Sequence, residues 1–427
     1  MLREPAKSFE AAVVSRLTWR LLPFLFLLYI VAYLDRINVG FAALQMRGQL
    51  HFSDSVYGLG AGMFFAGYFF FQLPSNLVLE RVGPRRWIAV LMALWGAVSS
   101  CMIFLRTPNQ FYLMRFLLGA AEAGFFPGVI LYLKNWFPAG SRARAVASFS
   151  TAGALSGVVG APLSGALLGL HYDGLAGWQW LFLTEGLPAI ALAGAALLFL
   201  TNRPAEADWL GEEQRTWLVE TLEDERRSHP DVDRSNVFTA FGSGRVWLLA
   251  FVLFGLNTVS YGMSLWLPSL VRSLSGISNF KIGVLVAIPY VAACIAGILV
   301  GHNSDRTGQH RWHVAICAFA GAGALMIAAY SSSVALSIAT ISVAVLSVFS
   351  MVGPLWAMPT SFLTGTAAAA GIALINSFGN LGGFFGPYII GELRELTGNY
   401  TLALIVVGST LALAGGVVLL VRPQGGH

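Results

Sequence analysis

Four ionisable side chains stand inside stretches that are otherwise almost wholly apolar: Asp35 and Arg36 in one, Arg115 and Glu122 in another. At the centre of a bilayer each costs about 2.5–3.5 kcal/mol on insertion scales, so such groups are kept paired or line a polar cavity. A buried carboxyl can take up and release a proton as its surroundings change, and a guanidinium presents a planar fork of donors that fits a carboxylate. These residue types point to an ion or substrate pathway. The structural alternative is a fixed salt bridge joining the two stretches, but two pairs with adjacent members exceed what such a bridge needs. Bond-making chemistry is disfavoured: the seven histidines lie at the ends of apolar stretches or between them, and no His-Glu-x-x-His occurs. No Gly-x-x-x-x-Gly-Lys-Ser/Thr phosphate loop occurs either. Cys101, Cys294 and Cys317 are odd in number and fall in apolar segments, which suits packing and implies neither a disulfide framework nor a metal site.

The elements that must hold these groups are membrane helices. Of 427 residues, 56% are hydrophobic and only 11% charged, a balance suited to a polytopic membrane protein and not to a soluble domain. Apolar segments of about 20 residues, each able to cross a ~30 Å hydrocarbon layer, recur along the chain. Hydropathy places the first six spans at Leu21–Ala43, Val56–Leu79, Trp87–Leu105, Phe111–Leu133, Ala143–Leu170 and Gln179–Leu200. Six more follow at Val246–Leu270, Ile282–Val300, Trp312–Tyr330, Val334–Met358, Phe362–Leu393 and Thr401–Val421. The expected fold is all-α and integral to the membrane, with twelve spans in two pseudo-symmetric six-helix bundles, residues 1–200 and 246–427. Residues 201–245 form a polar cytoplasmic linker with a surface helix near 211–227. The basic start (Arg3, Lys7, Arg16, Arg20) lacks a small-residue cleavage site, so the first span is read as a retained helix. With both termini cytoplasmic, only Arg47, Arg106, Arg272, Lys281 and Arg394 fall outside and Arg36 and Arg115 lie in the membrane, leaving 19 of 26 Lys and Arg inside. That bias follows the positive-inside rule, and it accounts for the net charge of +5 without nucleic acid.

The two halves repeat. Glu80, Arg81 and Gly83 after the second span recur as Asp305, Arg306 and Gly308 after the eighth, an offset of 225. Gly153, Gly157, Gly160 and Gly165 recur as Gly379, Gly383, Gly386 and Gly391, an offset of 226. Glycines at these spacings let helix backbones approach closely, but packing alone does not explain a shared offset. Duplicated units place a binding site at their interface near mid-membrane.

At these residues the chain resembles the major facilitator superfamily. Gly301-His-Asn-Ser-Asp305-Arg306-Thr-Gly308 fits that superfamily's loop signature, and the first copy is degenerate, with Asn76 and Glu80 in place of Gly and Asp. The resemblance implies that Glu80, Arg81, Asp305 and Arg306 gate the cytoplasmic side. Tyr33-Leu-Asp35-Arg36-Ile-Asn38 and Arg115-Phe-Leu-Leu-Gly-Ala-Ala-Glu122 look like the anion:cation symporter family. The segments Gln72-Leu-Pro74-Ser-Asn76-Leu and Gly371–Gly383 look most like its tartrate and phthalate branch. By that likeness Asp35 and Glu122 are the proton-coupling groups. Arg36 binds substrate, with Tyr33, Tyr68, Arg115, Asn376 and Asn380 in the pocket. Gly153 stands where some sugar-acid carriers place a polar side chain, a departure from the sugar-acid pattern that removes a side-chain contact there.

Depth gives further expectations. Asp35 and Arg115 come out level, making an ion pair between them natural, while Arg36 could reach Glu122. Glu185, near the outer end of the sixth span beside Gly186 and Pro188, reads as structural. The second half lacks charged counterparts and carries Asn257, Tyr261, Trp356, Thr360, Asn376 and Asn380, which suggests neutral selectivity there. The expected function is proton-coupled symport of a small organic anion such as tartrate. The protein would be a monomer in the cell inner membrane, with the proton gradient in place of any cofactor and no nucleic acid partner. The alternatives are carriage of an aromatic carboxylate such as phthalate, or a transporter-like sensor that binds without translocating.

Overall fold

The computed structural model describes residues 4–228, 242–362 and 365–421, and these are helical with no strand beyond one isolated bridge between Tyr172 and Leu175. The helices are α1 (Glu4–Leu50), α2 (Asp54–Val82), α3 (Pro84–Cys101), α4 (Pro108–Glu122), α5 (Phe125–Trp136), α6 (Ala139–Leu167) and α7 (Gly177–Phe199). A surface helix α8 (Glu212–Ser228) follows, then α9 (Gly244–Ser275), α10 (Asn279–Thr307), α11 (His310–Tyr330), α12 (Val334–Phe362), α13 (Gly365–Thr397) and α14 (Thr401–Leu419). Among the described residues eleven stretches are long and apolar enough to cross a membrane, with α4 and α5 counted as one. The remaining expected span coincides with α13, 33 residues long and rich in glycine.

Local chemistry sets the helix ends. Ser53 caps α2, its Oγ accepting from the Val56 amide at 3.2 Å, and Thr107 and Gln110 form a reciprocal capping box at the start of α4. The repeat-related turns at Gly83 and Gly308 have φ of 86° and 66°, left-handed conformations that favour glycine. The expected fourth span runs as α4 and α5, its helical hydrogen bonding interrupted at Ala123–Gly124, just past Glu122. The cause is Pro127, which has no N–H to bond the Ala123 carbonyl; Ala123 and Gly124 both keep right-handed helical angles.

Helices before and after α8 meet mainly along α1 on α9, α2 on α13 and α6 on α10. The last two crossings are built alike. A Cβ at Gly58 would lie 2.9 Å from the Cα of Gly391, and one at Gly165 would lie 3.3 Å from the Cα of Gly283. Two turns further on, the Phe65 ring fills the space over Gly383 and the Tyr290 ring fills the space over Gly157. Each residue of one crossing has its repeat partner in the other, which gives the shared glycine offset a physical meaning.

These close approaches gather at the end of the molecule that carries the α1–α2, α9–α10 and α13–α14 turns, here termed the closed end. Asp54 is held there by both Arg47 and Arg394, the latter at 2.6 Å. Glu395 accepts from the Asp54 amide at 2.7 Å, and the Tyr57 hydroxyl donates to the Leu265 carbonyl at 2.8 Å. At the opposite end α8 lies against the ends of α1 and α6, with Glu225 accepting from Arg142 at 2.8 Å and from the Ala139 amide at 2.7 Å. The expected linker thus holds the surface helix, while its residues 229–241 lie outside the described residues.

Candidate substrate and proton site

Tyr29, Tyr33 and Arg36 are four and three residues apart, so α1 presents them on one face. The Arg36 guanidinium pairs with Glu122, the last residue of α4: its Nε donates to Oε1 at 3.0 Å, and Nη2 contacts the same oxygen. Nη1 donates to the Tyr261 hydroxyl on α9 at 3.2 Å. One cation is thereby tied to helices on both sides of the interface. Aromatic rings surround it, with Tyr68, Phe64 and Tyr33 centred 5.4, 5.4 and 5.7 Å away, and Tyr29 stacks on Phe149 close by. Such rings favour a cation through their faces and offer flat apolar walls to a ligand. Glu122 Oε2 is buried and has no hydrogen-bond partner.

Asp35 faces the other way. Its Oδ1 accepts from Ser99 on α3 at 2.6 Å and from Asn38 at 3.3 Å. The expected Asp35–Arg115 ion pair is not formed, because the Asp35 carboxyl is turned into the α1–α3 contact. Arg115 is fully buried with its guanidinium 5.0 Å from the centre of the Phe64 ring, and none of its three nitrogens has a hydrogen-bond partner. The pairing that depth left open, Arg36 with Glu122, is the one that forms. Glu185 on α7 is also buried, its Oε1 accepting from Ser164 at 2.8 Å.

Asn376 and Asn380 are both partly exposed on α13. The antiparallel register that sets Gly58 beside Gly391 and Phe65 beside Gly383 brings Asn380 level with Tyr68 one turn further along. Asn257, by contrast, is used internally and donates to the Gly379 carbonyl at 3.0 Å. Glu80, Arg81, Asp305 and Arg306 are exposed at the end opposite the closed one, and none has a hydrogen bond or ion pair among the described residues. Sequence reasoning missed Ser99, Phe64 and the Arg47–Asp54–Arg394 cluster. It named Tyr261 without a partner, although the repeat offset of 225 separates Tyr261 from Arg36 and could have suggested one.

Comparison with known proteins agrees with this architecture. The Major Facilitator Superfamily pattern matches residues 25–387. A proposed tartrate transporter of Agrobacterium vitis is 46% identical over 412 residues, covering 96% of this chain and 91% of that protein. A quinolone resistance transporter of Acinetobacter baumannii is 39% identical over 414 residues, covering 96% and 94%. Among solved structures, a bacterial homologue of the human lysosomal transporter Spinster, in an inward-facing and occupied conformation, superposes with a TM-score of 0.78. It is 16% identical, with 94% of this chain and 96% of that chain covered, and so speaks to the fold alone.

Proposed function

The chain belongs to the major facilitator superfamily, and from that premise we propose that it takes up a small organic anion together with protons by alternating access. It is a multi-pass membrane protein and a secondary transporter. The observation that carries the finer reading is the Arg36–Glu122 pair at the junction of the two sets of helices. A proton taken up by Glu122 removes the negative partner of Arg36 and leaves the guanidinium for a substrate carboxylate, which it can bind through two parallel donors. Proton and anion then enter the same site and depend on each other.

Residues 1–200 and 246–427 are taken as the two units that rock about this site. The distribution of Lys and Arg supports cytoplasmic termini, which would put the closed end outside and make the state described one that opens inward. Glu80, Arg81, Asp305 and Arg306 would then meet when the cytoplasmic side shuts. The resemblance to tartrate transporters supports a hydroxy-dicarboxylate as substrate. The aromatic rings around Arg36 favour a second reading, an aromatic carboxylate such as phthalate.

The test is uptake of labelled tartrate or phthalate by proteoliposomes under an inside-alkaline pH gradient. Concentrative uptake of one of them is expected. Glu122→Gln, which mimics the protonated carboxyl, should sustain exchange between preloaded vesicles and lose accumulation. Wild-type accumulation by Glu122→Gln at equal protein content would move the proton to another group, and no uptake of either acid by the wild type would remove both substrate readings.

A further inference from the structure

The two glycine crossings match in backbone at the closed end and differ in side chains. A Cβ on Gly391 would lie 2.6 Å from the Asp54 carbonyl oxygen, and one on Gly165 would lie 2.6 Å from that of Asn279. Asp54 and Asn279 are repeat partners at the offset of 225, Gly165 and Gly391 at 226. The same offsets pair Arg47 with Arg272, Ser53 with Ser278 and Gly169 with Glu395. In the first crossing a carboxylate closes the start of α2. Glu395 Oε2 accepts from the Asp54 amide at 2.7 Å and from the Ser55 amide at 3.3 Å. Ser53 Oγ accepts from the Val56 amide, and Asp54 neutralises Arg47. The second crossing lacks each of these acceptors. Gly169 has no side chain to stand for Glu395, Ser278 makes no side-chain cap, and Arg272 meets the amide oxygen of Asn279 at 2.6 Å in place of a carboxylate. The amides of Asn279, Phe280 and Lys281 have no acceptor among the described residues. Beside them lies a cavity of about 460 Å³, walled by Gly165 and Gly169 on one side and by Arg272, Ser278, Asn279 and Phe280 on the other.

We propose that this cavity binds an oxyanion, in the place that Glu395 fills at the α2 crossing, and that it is a site separate from Arg36. Free amides at the first turn of a 29-residue helix carry partial positive charge and favour an anion. Arg272 adds a full charge and keeps donors beyond the one given to Asn279, so it can make a charge-assisted bond to the same ligand. Lys281 stands in the same turn, and neither cation has an ion pair among the described residues. The volume lies in the range of small-molecule sites, roughly 300–1,000 Å³. Arg272 is exposed, so water and salt compete, and binding should be weak and fall with ionic strength. A small organic acid and the phosphate of an anionic lipid share the required chemistry.

The test is saturation-transfer NMR on the purified full chain with succinate as the probe. Arg36→Gln serves as the background, which silences the central site. A succinate signal is expected in neutral detergent, and adding Arg272→Gln should weaken the binding roughly tenfold or more. Gly169→Glu, which restores the carboxylate of the α2 crossing, should abolish it. If that variant does not fold, Asn279→Asp, which gives Arg272 a counter-ion, should weaken the binding in its place. A signal kept in nanodiscs of phosphatidylcholine and of phosphatidylglycerol assigns the site to a free acid. A signal lost only in phosphatidylglycerol assigns it to the lipid phosphate. No succinate signal in the Arg36→Gln background overturns the proposal, as does one left unchanged by Arg272→Gln and by the added carboxylate. The Arg272→Gln comparison reads the cavity whether or not Arg36 anchors the transported anion, so the two readings fail separately.

Discussion

The α2–α13 and α6–α10 crossings share a plan but differ in charge. In both, glycine meets glycine and an aromatic ring seats on a second glycine two turns away. Among the described residues only the first is flanked by an ion cluster, Arg47–Asp54–Arg394. At the repeat-related positions of the second, Arg272 donates to the neutral Asn279 at 2.6 Å. The same contrast recurs at the centre, where Arg36 and Tyr261 are repeat partners and only one is charged. Duplication has kept the packing that lets the halves close on each other, while charge has been concentrated on one side. Closure depends on shape, which both crossings must supply, whereas the proposed coupling would need titratable and anion-binding groups in only one place.

The comparison breaks first if the two crossings are not equivalent. Gly58→Val and Gly283→Val each push a branched side chain into a neighbouring helix backbone, so both should prevent closure and abolish transport to a similar degree. Labelling of cysteines placed at the closed end would read this, and full transport by either variant would end the equivalence. The next largest effect is expected at the centre. Arg36→Gln removes the charge and its fork of donors, about 1.5–3 kcal/mol or roughly ten- to hundredfold in affinity, while Tyr261→Phe should change it by only a fewfold. Equal losses in the two, by direct binding of the transported acid, would show that charge is not concentrated as argued. The smallest effect belongs to the partly exposed cluster at the closed end. Asp54→Asn should weaken the closed state by about 1 kcal/mol or less, more so at low salt, and Asn279→Ala by less still. Distance measurements between spin labels across the closed end, at two salt concentrations, would rank them.

Much of this was legible in the residues. The apolar segments fixed where helices run, the 225 and 226 offsets exposed the duplication, and the intramembrane charges marked α1 and α4. Pro127 carried a warning of the break after Glu122 that hydropathy does not register, because proline acts by removing a backbone donor and not by changing apolarity. The Asp54 cluster stayed hidden because its members are 7 and 340 residues from one another and look like ordinary loop charges.

By itself, then, the sequence determined the helical membrane class, the repeat and the set of charged groups, since each follows from composition and spacing along one chain. Which charges pair was decided only by the tertiary structure. Arg115 and Arg36 differ in depth by less than the error in placing a helix end, and a modest rotation of α1 turns Asp35 from α4 towards Ser99 on α3. Pairing depends on angles between helices and on side-chain rotamers, and neither is written in hydropathy or in the offset of a repeat.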